Sequence, residues 1–495
     1  MPESTAISRR TLLVSIPGLT TTFLLPGPVR ALGAVSLHDW RLAFTDVEDD
    51  IDEQPLALVH GRPPRDLRGT LYRNGPARFR RPGGSAGHWF DGDGMIRAFS
   101  IRDPGATLRA SFVDTPKRRA DSAANAVITG GFGTPSQARA RPASNDDANA
   151  ANTSVIVHGT ELWALWEGGS PVGVDPVTLQ TEGLRTLRED LAHMPFLAHP
   201  RLDASGQLWS LGQLGDEVIV WQVAQDGSLQ AATHVRLPRA SYIHDFAVTP
   251  THVVILLQPW IFRGFTTPLT DCLEWRADLG TLVVVLDKQD LTRSRQYELP
   301  SFFFFHIGSA WSSADGTILL DVCRYQDPSF AVQGGRDVIS GIYRPEPAPT
   351  LALVSLAPDG TARMRDTDIT AELPRAQLRD AGRSPPTTVY ASIKSTGRPL
   401  FQGFGTYDWR TERAQQFDFG SSHVAEEMLF VPKRQAAGAL EGWIVGCSVN
   451  LREAATELHV FDAGHVTDGP LCTWRAPLAL PMSLHGTFIA ASTRV

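Results

Sequence analysis

Short apolar runs of strand length, each closed by a turn, recur along most of this chain, and that pattern excludes a mainly helical fold. The run 162–166 passes into Glu167-Gly168-Gly169, the run 208–211 precedes Gly212, and the run 218–223 precedes Gln225-Asp226-Gly227. Runs at 253–257, 282–286, 318–322, 351–356 and 458–461 continue the series. Asp226-Gly227, Asp315-Gly316 and Asp359-Gly360 suit tight turns, because glycine accepts a positive φ. The expectation is an all-β fold, a propeller or a large barrel. No exact short repeat of the WD type is present, so the blade count does not follow from the residues. A length of 495 residues corresponds to about three domains of ~150 residues, but all-β folds often run far longer as one unit. The Ala/Asn/Ser-rich stretch 120–151 reads as helix or long loop that interrupts the sheets and helps cover one face.

Composition narrows the function. A net charge of −7 argues against a nucleic-acid partner, which would call for a basic face. Hydrophobic residues at 42% and charged residues at 20% exclude a disordered chain. Lysine is scarce (Lys117, Lys288, Lys394 and Lys433), a bias that a GC-rich genome would produce, and it leaves few Schiff-base candidates. Cys272, Cys323, Cys447 and Cys472 form no CxxC pair, which excludes a zinc knuckle, and they allow disulfides only in an exported protein.

Residues 1–34 read as an export signal. Arg9-Arg10 precedes a short apolar stretch broken by Pro17 and Gly18, followed by small residues around Ala31 and Ala34. The paired arginines fit the twin-arginine route and its export machinery, hence a periplasmic or secreted protein; a disordered arm in a cytoplasmic protein is the competing reading. The apolar stretch is too interrupted to span a membrane. Residues 35–495 are expected to form a single domain.

Among 14 histidines, four share similar surroundings beside apolar runs: His199, His244, His306 and His485. Their separations of 45, 62 and 179 residues exclude one helix or hairpin. A propeller could gather them, because its inner strands converge on one axis. Neutral imidazoles suit iron, copper, nickel or zinc. Glu167, Glu372 and Glu427 also adjoin strand-like runs and could accept the outer N–H of such ligands. Taken singly, each of these residues serves a core or a solvated turn as readily.

Gly69-Thr70-Leu71-Tyr72-Arg73-Asn74-Gly75-Pro76, followed by His88-Trp89-Phe90-Asp91-Gly92-Asp93-Gly94-Met95, closely resembles the carotenoid cleavage oxygenase family, which includes lignostilbene dioxygenases and a retinal-pigment-epithelium protein. Asn152-Thr153-Ser154-Val155, Ala198-His199-Pro200, His244-Asp245-Phe246, Phe430-Val431-Pro432 and Leu484-His485-Gly486-Thr487 extend the match over residues 38–490. The resemblance implies a seven-bladed β-propeller with Fe(2+) on its axis, under a cap of loops and short helices that forms a substrate tunnel. It places the four ligating histidines on His199, His244, His306 and His485. The carboxylates behind them fall on Glu167, Glu372 and Glu427, the Glu-x-x-Phe-Val-Pro register choosing Glu427 over Glu426. Asp91-Gly92-Asp93-Gly94 lacks the remaining positions of a calcium loop and reads as a structural turn.

Two departures from the family stand out. Gly308-Ser309-Ala310 follows the third histidine where an Asn-Ala pair is common, and an Arg-rich strand is replaced by Ala110-Ser111-Phe112-Val113-Asp114-Thr115-Pro116-Lys117. The implied activity is O₂-dependent cleavage of a conjugated C=C bond in a carotenoid or apocarotenoid, giving carbonyl products. The alternatives are cleavage of a stilbene or phenylpropenoid, or a silent propeller that only binds a lipophilic ligand. Stilbene-cleaving members hold a phenol with Lys and Tyr; Lys117 lies in about the right segment, without an identifiable Tyr. Trp260, Phe262, Phe265 and the run 302–305 are candidates for an apolar tunnel wall, each serving a core equally well. An apolar tunnel mouth would permit peripheral membrane contact.

Overall fold

Each apolar run becomes a strand. The computed structural model describes residues 39–491 except 104, 138–141, 204, 378–383 and 434–439, and the expected export signal over 1–34 lies outside the described residues. The runs named above are strands Glu161–Leu165, Leu208–Leu214, Glu217–Val223, His252–Leu257, Thr281–Asp287, Ile318–Tyr325, Thr350–Leu356 and Ala455–Asp462. Gly227, Gly316 and Gly360 close hairpins at φ of +90°, +83° and +92°, which a side chain would oppose.

Seven antiparallel sheets of four or five strands make a seven-bladed propeller. Five blades are built from consecutive chain, opening on the strands Ser154–His158, Arg201–Leu202, Ala247–Val248, Phe303–Ser312 and Glu372–Gln377. The other two join the chain ends. Ala57–Gly61 adds to the blade that opens on His423–Pro432, and His485–Ala490 pairs with Gly69–Arg78, from Gly69 opposite Ala490 to Asn74 opposite His485. A flat sheet has exposed edges; a closed ring of blades leaves only short outer ones.

Seven apolar seams, one between each pair of neighbouring blades, carry the core. In one of them Val254, Leu256 and Val283 meet Phe302, Phe304, Leu320 and Val354, all buried. Each such side chain contributes about 1.5–3 kcal/mol through burial, so packing between blades dominates the stability.

Short helical pieces cover one face. They are Trp40–Phe44, Trp89–Asp91, Pro116–Ala123, and a stretch that is π-helical over Phe330–Gly334 and α-helical over Gly335–Ile339. His88 fastens the last of these, with Nε2 at 2.9 Å from the Ala331 carbonyl. Within 120–151, helix ends at Ala123, and a 3₁₀ turn follows at Asn145–Ala148. The loop between is shaped by Asp91, whose carboxylate accepts from the Phe132 and Gly133 amides at 2.6 and 2.9 Å and from the Thr134 hydroxyl at 2.7 Å. Asp93 pairs with Arg81 and Lys117, so both acids of the Asp-Gly-Asp-Gly segment serve structure, as the sequence suggested. All four cysteines are free and buried. Among the described residues, no helix is long and apolar enough to cross a membrane.

Candidate metal centre

The innermost strands present the chemistry. His306 lies within Phe303–Ser312 and His485 begins His485–Ala490, while His199 and His244 stand just before the short strands Arg201–Leu202 and Ala247–Val248. Their Nε2 atoms form an open ring: His199 to His244 3.1 Å, His244 to His306 3.3 Å, and His306 to His485 3.1 Å. Donor atoms of His199, His306 and His485 all lie within 4.8 Å of one another, which makes a buried three-histidine metal site, with His244 on its edge.

Local irregularities aim these side chains. Strand register shifts between Phe304 and Ile307, between Glu372 and Arg375, and between Ala425 and Met428, so His306, Glu372 and Glu427 all sit at bulges. A bulge turns a residue away from regular alternation and is a common device beside active sites. Leu373, directly after Glu372, adopts φ +50°, a strained conformation for a non-glycine residue.

Three carboxylates stand behind the ring. Glu167 accepts from His244 Nδ1 and, at 2.6 Å, from the Tyr242 hydroxyl. Glu372 lies 2.5 Å from His306 Nδ1, and Glu427 2.7 Å from His485 Nδ1. Burial opposes ionisation of Glu427, but Arg375, His485 and Arg73 outweigh it and hold its carboxyl well below the usual range. Burial likewise opposes ionisation of Glu372, and His306 reverses it. Ionised carboxylates only accept, so Nδ1 of His306 and His485 carries the proton and the Nε2 lone pair faces the ring.

Burial and the neighbouring histidines push His199 far below its ordinary pKa, and burial takes His485 down to about 4. Burial also disfavours charge on His244, although Glu167 reverses the sign and raises it. Imidazole lone pairs converging at little more than 3 Å repel one another in a dry interior. A cation between them turns that repulsion into coordination, so the donor set fits a divalent metal ion.

Buried ties that the motifs did not advertise lock the ring. Arg73 donates to Glu427 at 2.6 Å, to the Ser483 hydroxyl at 2.9 Å and to the Leu484 carbonyl at 2.9 Å. Asp245 accepts from Arg201 at 2.6 and 2.7 Å and from the Ile307 amide at 2.8 Å, so it joins the strands of three histidines. Glu426 takes the Ser483 hydroxyl and lies 3.6 Å from Arg73, leaving the contact with His485 to Glu427.

A cavity of about 110 Å³ opens onto His244, His306 and His485. Its walls include Trp89, Phe90, Phe132, Trp166, Phe305 and Phe330. On the axial side a void of about 30 Å³ touches His199, His306 and His485.

Only Phe305 of the expected tunnel aromatics lines the cavity. Phe302 and Phe304 fill a seam, and Trp260 packs edge-on against Phe303 and Tyr242. Phe265 is exposed and stacks on Phe262. Apolar type alone could not separate these fates. Lys117 also lies elsewhere: it is buried between Asp93 and Asp121, at 3.2 and 3.0 Å, and does not line the cavity. Its charge is spent within the fold.

Residues 44–490 match a family model described as retinal pigment epithelial membrane protein. The chain is 28% identical to apocarotenoid-15,15'-oxygenase of Synechocystis sp., over 92% of this chain and 96% of that one. It is 24% identical to isoeugenol monooxygenase of Pseudomonas putida, over 91% and 98%. Cobalt-substituted Synechocystis ACO superposes with a TM-score of 0.82 at 25% identity, covering 92% of this chain and 99% of that one.

Proposed function

This chain belongs to the retinal pigment epithelial membrane protein family, whose oxygenases cleave alkene bonds, and we propose that it uses Fe(2+) and O₂ to split one conjugated C=C bond of a carotenoid or apocarotenoid into two carbonyls. The observation that carries this reading is an aromatic cavity that ends on an inward-facing ring of imidazoles. His199, His244, His306 and His485 would hold the metal, and Glu167, Glu372 and Glu427 would orient three of them. Ferrous iron, when bound, supplies the activation of dioxygen.

The remaining work belongs to the chain. The apolar walls exclude water and accept a rigid polyene, and the ends of the cavity fix which double bond stands at the imidazoles. No side chain needs to move a proton on the substrate: apart from Glu346 and Lys394, the ionisable groups lining the cavity are the imidazoles, Glu167 and Glu372 behind them, and Tyr242 and Tyr325 beside those carboxylates. The stilbene alternative loses its expected anchor, because Lys117 is held by Asp93 and Asp121.

Iron-loaded protein incubated with β-carotene, apocarotenals, resveratrol and isoeugenol tests the reading, with products identified by mass. Aldehydes from a polyene are expected; turnover of only the phenolic substrates would refute it. We propose also that residues 1–34 direct export by the twin-arginine route to the periplasm. Replacing Arg9 and Arg10 with Lys should then trap precursor in the cytoplasm, and undiminished export would refute that assignment.

A further inference from the structure

Lys394 breaks the apolar character of the substrate cavity. It ends the strand Thr387–Lys394 and lines the cavity together with Glu346, Leu400 and Phe401. Among the described residues its one hydrogen-bond partner is the Glu346 backbone carbonyl, and no carboxylate lies within 4 Å of its ammonium group. The other lysines are placed differently. Lys117 and Lys288 are ion-paired, and Lys433 lies over the Trp443 ring.

The surroundings show construction rather than accident. A second cavity of about 40 Å³ shares Phe330, Glu346, Lys394 and Leu400 with the first and reaches Ile342, which is exposed. Lys394 therefore stands where the substrate cavity meets a smaller one that reaches the surface. Ile393 and Leu400 flank it at φ +61° and +69°, and a β-branched residue adopts that conformation only when its surroundings impose it. Ala391 pairs across the sheet with Glu372, behind His306. Three residues of strand then separate the level of the metal centre from Lys394, a rise of about 10 Å.

We infer that Lys394 is a specificity-determining residue that hydrogen-bonds an oxygen acceptor, a carbonyl, hydroxyl or carboxylate, at the trailing end of a long apolar substrate. The inference rests on the polyene reading above. The Glu346 carbonyl takes one of the three ammonium donors; the others, half-buried beside Phe330 and Phe401, are costly unless they meet an acceptor, and burial lowers the pKa of Lys394 while Glu346 partly restores it. An oxygenated end offers that acceptor and a hydrocarbon end does not, so the same contact both sets the depth of insertion and selects against hydrocarbons.

The test is binding to the iron-loaded protein without oxygen, read by quenching of tryptophan fluorescence. The probes are an apocarotenal, the matching alcohol, the matching carboxylic acid and the hydrocarbon of equal length. Wild type should prefer the oxygenated probes, the strongest of them identifying the acceptor. Lys394→Met should lower the ratio of oxygenated to hydrocarbon affinity about tenfold, and Lys394→Arg should keep most of it. Lys394→Gln is measured the same way should the Met variant fail to fold. A ratio unmoved in folded Met or Gln variants, or no preference in wild type, overturns the subsite even if polyenes are cleaved in air. A ratio that falls as expected while no polyene is cleaved in air overturns the proposed reaction and leaves the subsite standing.

Discussion

Replacing Glu427 with Gln changes one atom at the most tightly held carboxylate of the centre. Its two oxygens meet His485 Nδ1 at 2.7 Å, Arg73 Nη1 at 2.6 Å and the Gly486 amide at 2.9 Å, all of them donors. An amide can satisfy only one side. With its oxygen toward His485, its NH₂ opposes Arg73 and Gly486. With its NH₂ toward His485, the imidazole must move its proton to Nε2 and withdraw a lone pair from the ring. Losing such a partner typically weakens metal binding about 10–100-fold, or about 1.4–2.8 kcal/mol. The unpaired Arg73 adds a stability loss of about 2–3 kcal/mol, toward the low end for a broken buried pair because Glu426 remains 3.6 Å away. Anaerobic competition with a ferrous chelator measures the first quantity and denaturant unfolding the second. Metal retained within about twofold of wild type, or a larger loss from Glu426→Gln, would refute the assignment of Glu427 to His485.

Other perturbations probe separate parts of the molecule. His244→Ala should abolish iron loading and turnover yet leave a folded propeller, since Glu167 keeps the Tyr242 hydroxyl as donor; wild-type iron content by elemental analysis would remove His244 from the ligand set. Asp91→Ala should free the loop carrying Phe132, cost about 2 kcal/mol, and raise KM more than it lowers kcat; an unchanged melting temperature and KM would contradict this. Away from the metal, burial opposes ionisation of Glu457, but His423, His459, Arg475 and Asn450 prevail and bring its pKa down to about 2. A depressed carboxyl stabilises the fold above its unfolded pKa of ~4.3, and that contribution, at most about 3 kcal/mol, fades as pH falls toward 2. Stability of Glu457→Gln should therefore vary less than wild type between pH 4.5 and 2, and parallel curves would rule the linkage out.

The strands were legible because alternating apolar runs and Asp-Gly pairs carry their own physics. Every run of the strand series is a strand, and the glycines of the three Asp-Gly pairs assigned to tight turns, Gly227, Gly316 and Gly360, have positive φ. The number of blades was not, since each blade differs in its residues and only the resemblance supplied seven. The histidines could be shortlisted by their neighbours, but what gathers them lies in bulges and in ties such as Arg73 to Glu427 and Asp245 to Arg201, for which a single sequence offers no spacing rule. The cavity wall was the least readable part. Phe132, Trp166 and Phe401 come from distant segments, as do Tyr325 and Phe330 from a fourth, and an apolar side chain facing a void has the same local pattern as one facing a core. Lys117 shows the converse: its place in the chain suggested a ligand contact, and two aspartates, one a helical turn onward and one at the start of a strand in the preceding blade, consumed it.

His485 begins the final described strand, the one that seals the first blade. Until the ribosome reaches that strand, the chain can offer at most three of the four imidazoles, and the blade that opens the ring lacks its innermost member. The fourth imidazole and the closing strand of the circle are thus supplied by the same six residues. A protein cut short before residue 485 loses one imidazole of the metal centre and the mechanical lock of its first blade together.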